Sequence, residues 1–453
     1  MIKYIFWVLV LLAVVVCCHA MCSGQQRPYE YFGTKTLYQK VNGKLPLKKS
    51  RAPKGCSPVF VFGLIRHGAR LASSEIVPEL EELLELAKKI NSTGKAQLCK
   101  KDIEELRNWK VWANKYANRN LTEYGAEEMR GIAKRYRNLL PELLNASNTG
   151  NHRYFSSNFS RTVDSMMAFT SVLGTSPSTN PDAYTVVPNN ESSFRNDNCP
   201  KYVRDVDDNP HVEEEYESFF AGPYIRRVKR KVARRLGIRH SEMSGDLLWL
   251  IYSSGCYYQQ WVDVKEDVAP WCRVFSRRDL KIMEYASDLE DYAQRSFQSD
   301  IAFKWTCAIA KDVVGAIVNA SENHLEGNFQ PTARLIFGHS STVAVTAANM
   351  GLYEREDPPT SENFRYQKYR AFRMSQMTPS AGNIMIVLYQ CSAQDESTYK
   401  VQTFWNERLL RGYPACRSTG PIGMCDLDTW LESYHQFVPG SETECSMEEI
   451  CSV

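Results

Sequence analysis

At 453 residues the chain is long enough for two or three domain-sized units, and its 55 Lys+Arg against 52 Asp+Glu leave a formal net charge of only +3. That balance excludes nucleic-acid capture by whole-molecule attraction, so a charged partner has to be recognised locally. The 14 cysteines are scattered without a CxxC pair, which points to disulfides made in an oxidising compartment and away from a zinc site.

The chain opens with Lys3, an apolar run from Ile5 to Cys18, and small residues at Cys18 and Ala20, the three regions of a secretory signal. Residues 1–20 are therefore expected to be a signal peptide cleaved after Ala20. The run is shorter than the ~20 residues of a membrane span, and no second long apolar run follows, so no stable span is expected after cleavage. Sequons at Asn91, Asn120, Asn145, Asn158, Asn190 and Asn319 agree with secretory passage, and Glu448 to Val453 carry neither a retention tetrapeptide nor an apolar lipid-anchor tail. A secreted or luminal location is expected.

Residues 21 to 55 are polar and irregular. Val59 to Ile65 then form a continuous apolar run that ends in Arg66-His67-Gly68-Ala69-Arg70. Such a run suggests a strand buried on both faces of an α/β sheet, where ligands sit beyond the carboxyl ends of strands. Glu75 to Ala87 follow at helical spacing, and the amides at that helix start could face an anion. Leu121 to Leu140 predict a second helix, capped by Thr122 and ended by Pro141. Tyr154 to Ser157 predict a short strand, and Arg161 to Leu173 a helix closed by Gly174. This repeats the first arrangement of strand, polar turn with arginine, and helix.

From 186 to 324 the chain becomes helix-rich, charged and aromatic. Within it, Ile225, Val228, Val232 and Leu236 make one apolar stripe among basic residues, read as a helix with a solvated outer face in preference to an anion or membrane contact. The α/β texture returns at Ala333 to Phe337, ending in Gly338-His339-Ser340-Ser341, followed by a helix from Thr342 to Met350. Asn383 to Cys391 and Tyr399 to Trp405 predict further strands. The partition expected is an α/β core, 21–185 and 325–453, split by a mainly helical insertion at 186–324.

Three strand ends thus offer Arg66, His67 and Arg70, then Arg161, then His339. Converging guanidiniums would grip phosphate oxygens by paired charge-assisted hydrogen bonds, and a neutral imidazole could attack a phosphoryl group in line to give a phosphohistidine that water hydrolyses.

These residues resemble the histidine acid phosphatases. Arg66-His67-Gly68-Ala69-Arg70 matches their RHGxR signature. Phe155-Ser156-Ser157 with Arg161, Thr162 and Ser165, the Gly338-His339 turn, and Asn406-Glu407 leading to Pro414 and Cys416 also match. The branch most similar is that of the multiple inositol polyphosphate phosphatases. The resemblance implies an α/β, phosphoglycerate-mutase-like (histidine phosphatase) core with an inserted helical domain. It implies His67 as nucleophile, Arg66, Arg70 and Arg161 as phosphate ligands, His339 as a second catalytic histidine, and no metal or other cofactor. By analogy it also implies disulfides joining Cys56 to Cys391, Cys256 to Cys272 and Cys416 to Cys425, with Cys199 bonded near the C-terminus.

Two departures from the family pattern matter. Leu71-Ala72-Ser73 replaces the usual Pro-Thr continuation, and Ser340-Ser341 stands where relatives carry the acid that protonates the leaving alkoxide. A serine hydroxyl is far too weak an acid for that role, and positioned acid–base catalysis typically contributes about 10²–10⁴-fold. The function expected is hydrolysis of inositol polyphosphates, phytate-like phosphomonoesters, weakened by loss of this acid. The alternatives are an impaired pseudoenzyme that binds phosphorylated ligands and a small-substrate acid phosphatase. The partner expected is a phosphorylated small molecule, with no nucleic acid. The Asn158 sequon, in the turn before Arg161, is expected to stay unglycosylated.

Overall fold

The structure, a computed structural model, describes residues 28–42, 55–111, 118–188, 194, 196–257, 269–328, 331–353, 357–393, 396–417, 422–441 and 445–453. The expected signal peptide and the Asn190 sequon lie outside them. Contacts group the chain into a smaller compact unit, Met1–Phe32, Leu71–Arg119 and Glu217–Ala286, and a larger one, Gly33–Arg70, Asn120–Tyr216 and Ser287–Val453.

The smaller unit is helical in its described residues. Its helix Val77–Thr93 includes the amphipathic stretch seen after the RHGxR segment, and Gly94 ends it at φ 59°. In the helix Pro223–Leu236, Ile225, Val228, Val232 and Leu236 are all buried, as the stripe requires. Lys231 and Arg235 reach the fully buried Asp279 at 2.8 and 3.2 Å, while Arg226, Arg227, Arg230 and Arg234 stay exposed. Cys256 and Cys272 form a disulfide here.

These units and the sequence partition are cut differently. Leu71–Arg119 falls in the smaller unit, and residues 287–324 fall in the larger. The reason is packing: the helix Cys307–Glu326 lays Ile309, Val313, Val314 and Ile317 against the sheet. Composition alone does not separate a helix that covers a sheet from one that belongs to an insertion.

In its described residues the larger unit is built on an eight-stranded sheet. Its strands are β1 (Cys56–Arg66), β2 (His152–Ser157), β3 (Tyr184–Val187), β4 (Ala333–Gly338), β5 (Asn383–Ala393), β6 (Glu396–Trp405), β7 (Arg408–Leu409) and β8 (Met424–Asp426). The order is β3-β2-β4-β1-β5-β6-β7, with β8 on β6. Strands β1 to β4 run parallel, and β5 returns antiparallel beside β1. Being central, β1 has no solvated face, which explains its unbroken apolar sequence. Phe60, Phe62 and Leu64 enter one core with the helices Cys307–Glu326 and Ser340–Asn349. Val61 and Ile65 enter the other, with Met129, Ile132 and Tyr136 of the helix Glu123–Leu139 and Met166, Phe169 and Leu173 of the helix Ser160–Leu173. Each such side chain contributes roughly 1.5–3 kcal/mol on full burial.

Cys56 and Cys391, paired across β1 and β5, form a disulfide. Cys199–Cys451, Cys307–Cys445 and Cys416–Cys425 are also bonded. The pairings implied by the family resemblance are all present, and Cys307–Cys445 is additional. No helix among the described residues is long and apolar enough to cross a membrane.

The loop after β1 packs on the start of the helix Glu123–Leu139 so closely that only glycine fits on either side. A Cβ at Gly68 would meet the Gly125 carbonyl oxygen at 2.3 Å, and one at Gly125 would meet the Ala69 oxygen at 2.2 Å. The capping Thr122 accepts the Gly125 N–H at 3.0 Å and donates to the Ala69 carbonyl at 2.8 Å, tying helix start to loop. Alanine in place of a helical glycine ordinarily stabilises by up to about 1 kcal/mol. Gly125→Ala is expected to reverse that sign and destabilise by about 1–3 kcal/mol, because backbone has to move. Gly131→Ala, whose new Cβ meets only the end of the Arg135 side chain at 3.1 Å, should be neutral to stabilising. Denaturant unfolding of the two variants checks this.

Candidate active site

The register of the sheet sets the site. Arg66 on β1 lies opposite Gly338 on β4, and Ser156 on β2 opposite Phe337, so three parallel strands end level. His67, Ser157 and His339 follow directly, and the His67 N–H donates to the Gly338 carbonyl over 3.0 Å.

The backbone on either side of His67 is held from outside the loop. Arg66 N–H donates to Gly382 O at 2.8 Å, and the His67 carbonyl accepts Ala381 N–H at 2.9 Å. Gly68 N–H donates to Ser165 Oγ at 3.1 Å, and Ser165 in turn donates to Arg161 O at 2.6 Å. The loop is therefore fixed by tertiary bonds rather than by its own turn geometry.

His67 is 4% exposed. Its Nδ1 lies 2.8 Å from the Gly68 carbonyl oxygen, which can only accept, so Nδ1 carries the proton in the neutral ring and Nε2 is the unprotonated nitrogen. Burial, then the guanidinium of Arg66, the neighbouring His339 ring and the guanidinium of Arg161, hold its pKa well below the ordinary histidine value, outweighing the Gly68 hydrogen bond. The ring thus stays neutral and nucleophilic into acid.

His339 stands 5.7 Å away, ring centre to ring centre, edge-on to His67. Its Nε2 is 3.1 Å from Ser157 Oγ, and Ser157 donates its own proton to Thr162 Oγ1 at 3.0 Å. Ser157 therefore accepts from His339, which places the His339 proton on Nε2 and leaves Nδ1 as acceptor, 3.5 Å from Arg161 Nη2. Arg161 also lies over the Phe159 ring at 4.5 Å. Arg66 is buried, with Nη1 bound to the Thr34 and Thr378 carbonyls, the latter at 2.6 Å. Arg70 is half-buried at the end of the loop, where its backbone bridges to Leu121.

The helices Ser160–Leu173 and Ser340–Asn349 both start at this cluster, and neither has an acid in its first turn. Their positive ends are left unneutralised by their own side chains, beside Arg66 and Arg161, an arrangement that suits a multiply charged anion. Ser340 and Ser341 occupy the first two positions after His339 and are half-buried. Asn158 is exposed in the turn before Ser160.

Of the expected residues, His67, Arg66, Arg161 and His339 are brought into one electrostatic cluster. The supporting residues Ser157, Thr162 and Ser165 lie in the family motif but carry no sequence signal of their own. Glu128, whose Oε2 accepts the Ala69 N–H at 2.9 Å, shows in the sequence only as an acid in the apolar phase of its helix. Asn406 and Glu407 take positive φ, 49° and 62°, between β6 and β7. The Glu407 carboxylate binds Arg135 twice, at 2.7 and 2.8 Å, and Tyr38 at 2.7 Å, while Asn406 Oδ1 accepts the Asn383 N–H at 2.8 Å. These bonds hold the start of β5, whose Asn383 pairs with Ile65 just before His67.

The sequence model of the histidine phosphatase superfamily (branch 2) matches residues 59–406. Multiple inositol polyphosphate phosphatase 1 of Homo sapiens is 30% identical over 403 residues, covering 84% of this chain and 82% of that protein. The Gallus gallus protein of the same name is 28% identical over 437 residues, covering 93% and 92%. Among solved structures, the phytase from D. castellii has a TM-score of 0.69 at 17% identity, covering 94% of this chain and 87% of that one. The Bifidobacterium longum multiple inositol polyphosphate phosphatase complex with phosphate has a TM-score of 0.66 at 17% identity, covering 92% and 100%. These two likenesses bear on the fold.

Because its folded-state pKa is depressed, His67 favours the folded state above the unfolded histidine value of about 6.5, and that contribution is lost as pH falls through the lower folded value. The His67 ring resonance, assigned by comparison with His67→Gln, is expected to titrate clearly below pH ~6.5. Arg66→Ala should move the midpoint up. A wild-type midpoint at or above the ordinary value contradicts the electrostatic description.

Proposed function

The chain belongs to the histidine phosphatase superfamily, branch 2, and on that premise we propose that it is a phosphomonoester hydrolase of inositol polyphosphates working through a phosphohistidine. The observation that carries the reading is a buried His67 whose Nδ1 is committed to the Gly68 carbonyl, with Arg66, Arg161 and His339 around it. Nε2 attacks phosphorus in line, the leaving alkoxide departs, and water then takes the phosphoryl group from the ring. Arg66, Arg70 and Arg161 hold the non-bridging oxygens, whose charge grows in the transition state. His339, with Nδ1 accepting, donates to a phosphate oxygen once protonated. The substrate class follows from the relatives named for inositol polyphosphates, and two open helix ends beside the arginines suit a ligand with several phosphates.

The five disulfides among the described residues support assembly in the secretory pathway, hence the secreted or luminal location.

One observation favours a second reading, a phosphate-binding protein with little turnover: Ser340 and Ser341 supply no carboxylic acid after His339.

Phosphate release from inositol hexakisphosphate is expected from the wild type and not from His67→Ala. Equal release from both would sink the hydrolase reading. Ser341→Glu should raise kcat by about 10²–10⁴-fold if only the leaving-group acid is lacking. A wild type that binds inositol hexakisphosphate but releases no phosphate, with Ser341→Glu active, favours the second reading.

A further inference from the structure

The hydrogen bond that sets the His67 tautomer ends on the Gly68 carbonyl. That carbonyl and the Ala69 N–H belong to one peptide, planar and rigid, and point in opposite directions from it. Whatever holds the Ala69 N–H therefore aims the Gly68 oxygen. Its holder is Glu128, whose Oε2 accepts the Ala69 N–H over 2.9 Å.

Glu128 is itself closely held. It is 3% exposed, in the helix Glu123–Leu139, next to the core residue Met129. Its Oε1 accepts the Tyr38 N–H at 2.9 Å, and the Ser380 hydroxyl lies 2.8 and 2.9 Å from its two oxygens. The segment starting at Ser380 also supplies the Ala381 N–H to the His67 carbonyl and the Gly382 carbonyl to the Arg66 N–H. Hydrogen bonds thus close a ring from Glu128 through Ala69, Gly68, His67, Ala381 and Ser380 back to Glu128. A buried carboxyl is a costly way to hold a loop. Burial pushes this one up to about 7, against the opposing bonds from Ser380, Ala69 and Tyr38.

We propose that Glu128 is a positioning residue for the nucleophile: through the Gly68–Ala69 peptide it orients the carbonyl that accepts the hydrogen bond from His67 Nδ1–H, and so presents Nε2 unprotonated to the phosphoryl group. The proposal rests on His67 being the nucleophile. It is the logic of a carboxylate that orients a catalytic imidazole directly, with one peptide placed between them. Accepting the Ala69 N–H also polarises that peptide and strengthens the Gly68 oxygen as an acceptor.

The test compares wild type, Glu128→Gln and Ser380→Ala by steady-state kinetics on inositol hexakisphosphate and by ¹⁵N spectra of the imidazoles. Glu128→Gln keeps the shape but cannot accept from Ala69, Tyr38 and Ser380 together. It is expected to lower kcat by about 10–100-fold with KM little changed, and to mix the Nε2–H tautomer into the His67 signal. Ser380→Ala removes a donor to the same carboxyl but spares the Ala69 bond, so it should keep the tautomer and lose less activity. A folded Glu128→Gln with wild-type kcat and tautomer overturns the proposal. Equal losses in both variants with an unchanged tautomer overturn it too, because they report packing. If Glu128→Gln does not fold, Glu128→Asp takes its place with the same readouts, and a wild-type His67 found in the Nε2–H form refutes the proposal outright. The spectra need no turnover, so a wild type that fails to hydrolyse counts against the functional reading and leaves this one separately decidable.

Discussion

The parallel pairing of β1 with β4 is the constraint on which the rest depends. With Arg66 opposite Gly338, both histidines leave the sheet at the same level, and a one-residue slip would turn every side chain of β1 to the wrong core. The two apolar faces of β1 prevent that slip. They also keep polar side chains out of Val59 to Ile65, so chemistry is confined to the residues after Ile65. The Cys56–Cys391 bond at the other end of β1 reinforces the same register from the antiparallel side.

Electrostatics and hydrogen bonding then act together on one imidazole. Cations and burial keep His67 neutral, while the Gly68 carbonyl decides which nitrogen keeps the proton. Neither influence would suffice alone for the proposed attack: a neutral histidine in the other tautomer would carry its proton on the nitrogen that has to react. His339 is specified by different means, through hydroxyls of Ser157 and Thr162, and so takes the opposite tautomer. On the proposed mechanism one ring attacks and the other binds.

Much of this was legible in the sequence because it is local. An apolar run ending in Arg-His-Gly, capping Thr122, and Gly174 after the Ser160–Leu173 helix each declare a boundary within a few residues. What stayed hidden depends on distant packing. The assignment of the Cys307–Glu326 helix to the sheet follows from contacts with strands far along the chain, although its apolar sequence already departs from the charged helix Arg277–Arg295 before it. The need for glycine at 125 follows from a backbone approach to Ala69 that no periodicity reveals. Glu128 left one trace, an acid where the helix should bury an apolar side chain. The serines after His339 were visible at once, since an acid's absence from a recognisable position needs no structure.

The central claim, that His67 carries the phosphoryl group, is tested most directly by rapid acid-free quenching of the protein with ³²P-labelled inositol hexakisphosphate, followed by mapping of the labelled peptide. The account predicts an acid-labile phosphate on Nε2 of His67 that forms and decays during turnover and is missing in His67→Ala. Label on any other residue, or turnover with no labelled protein at any time, would contradict it.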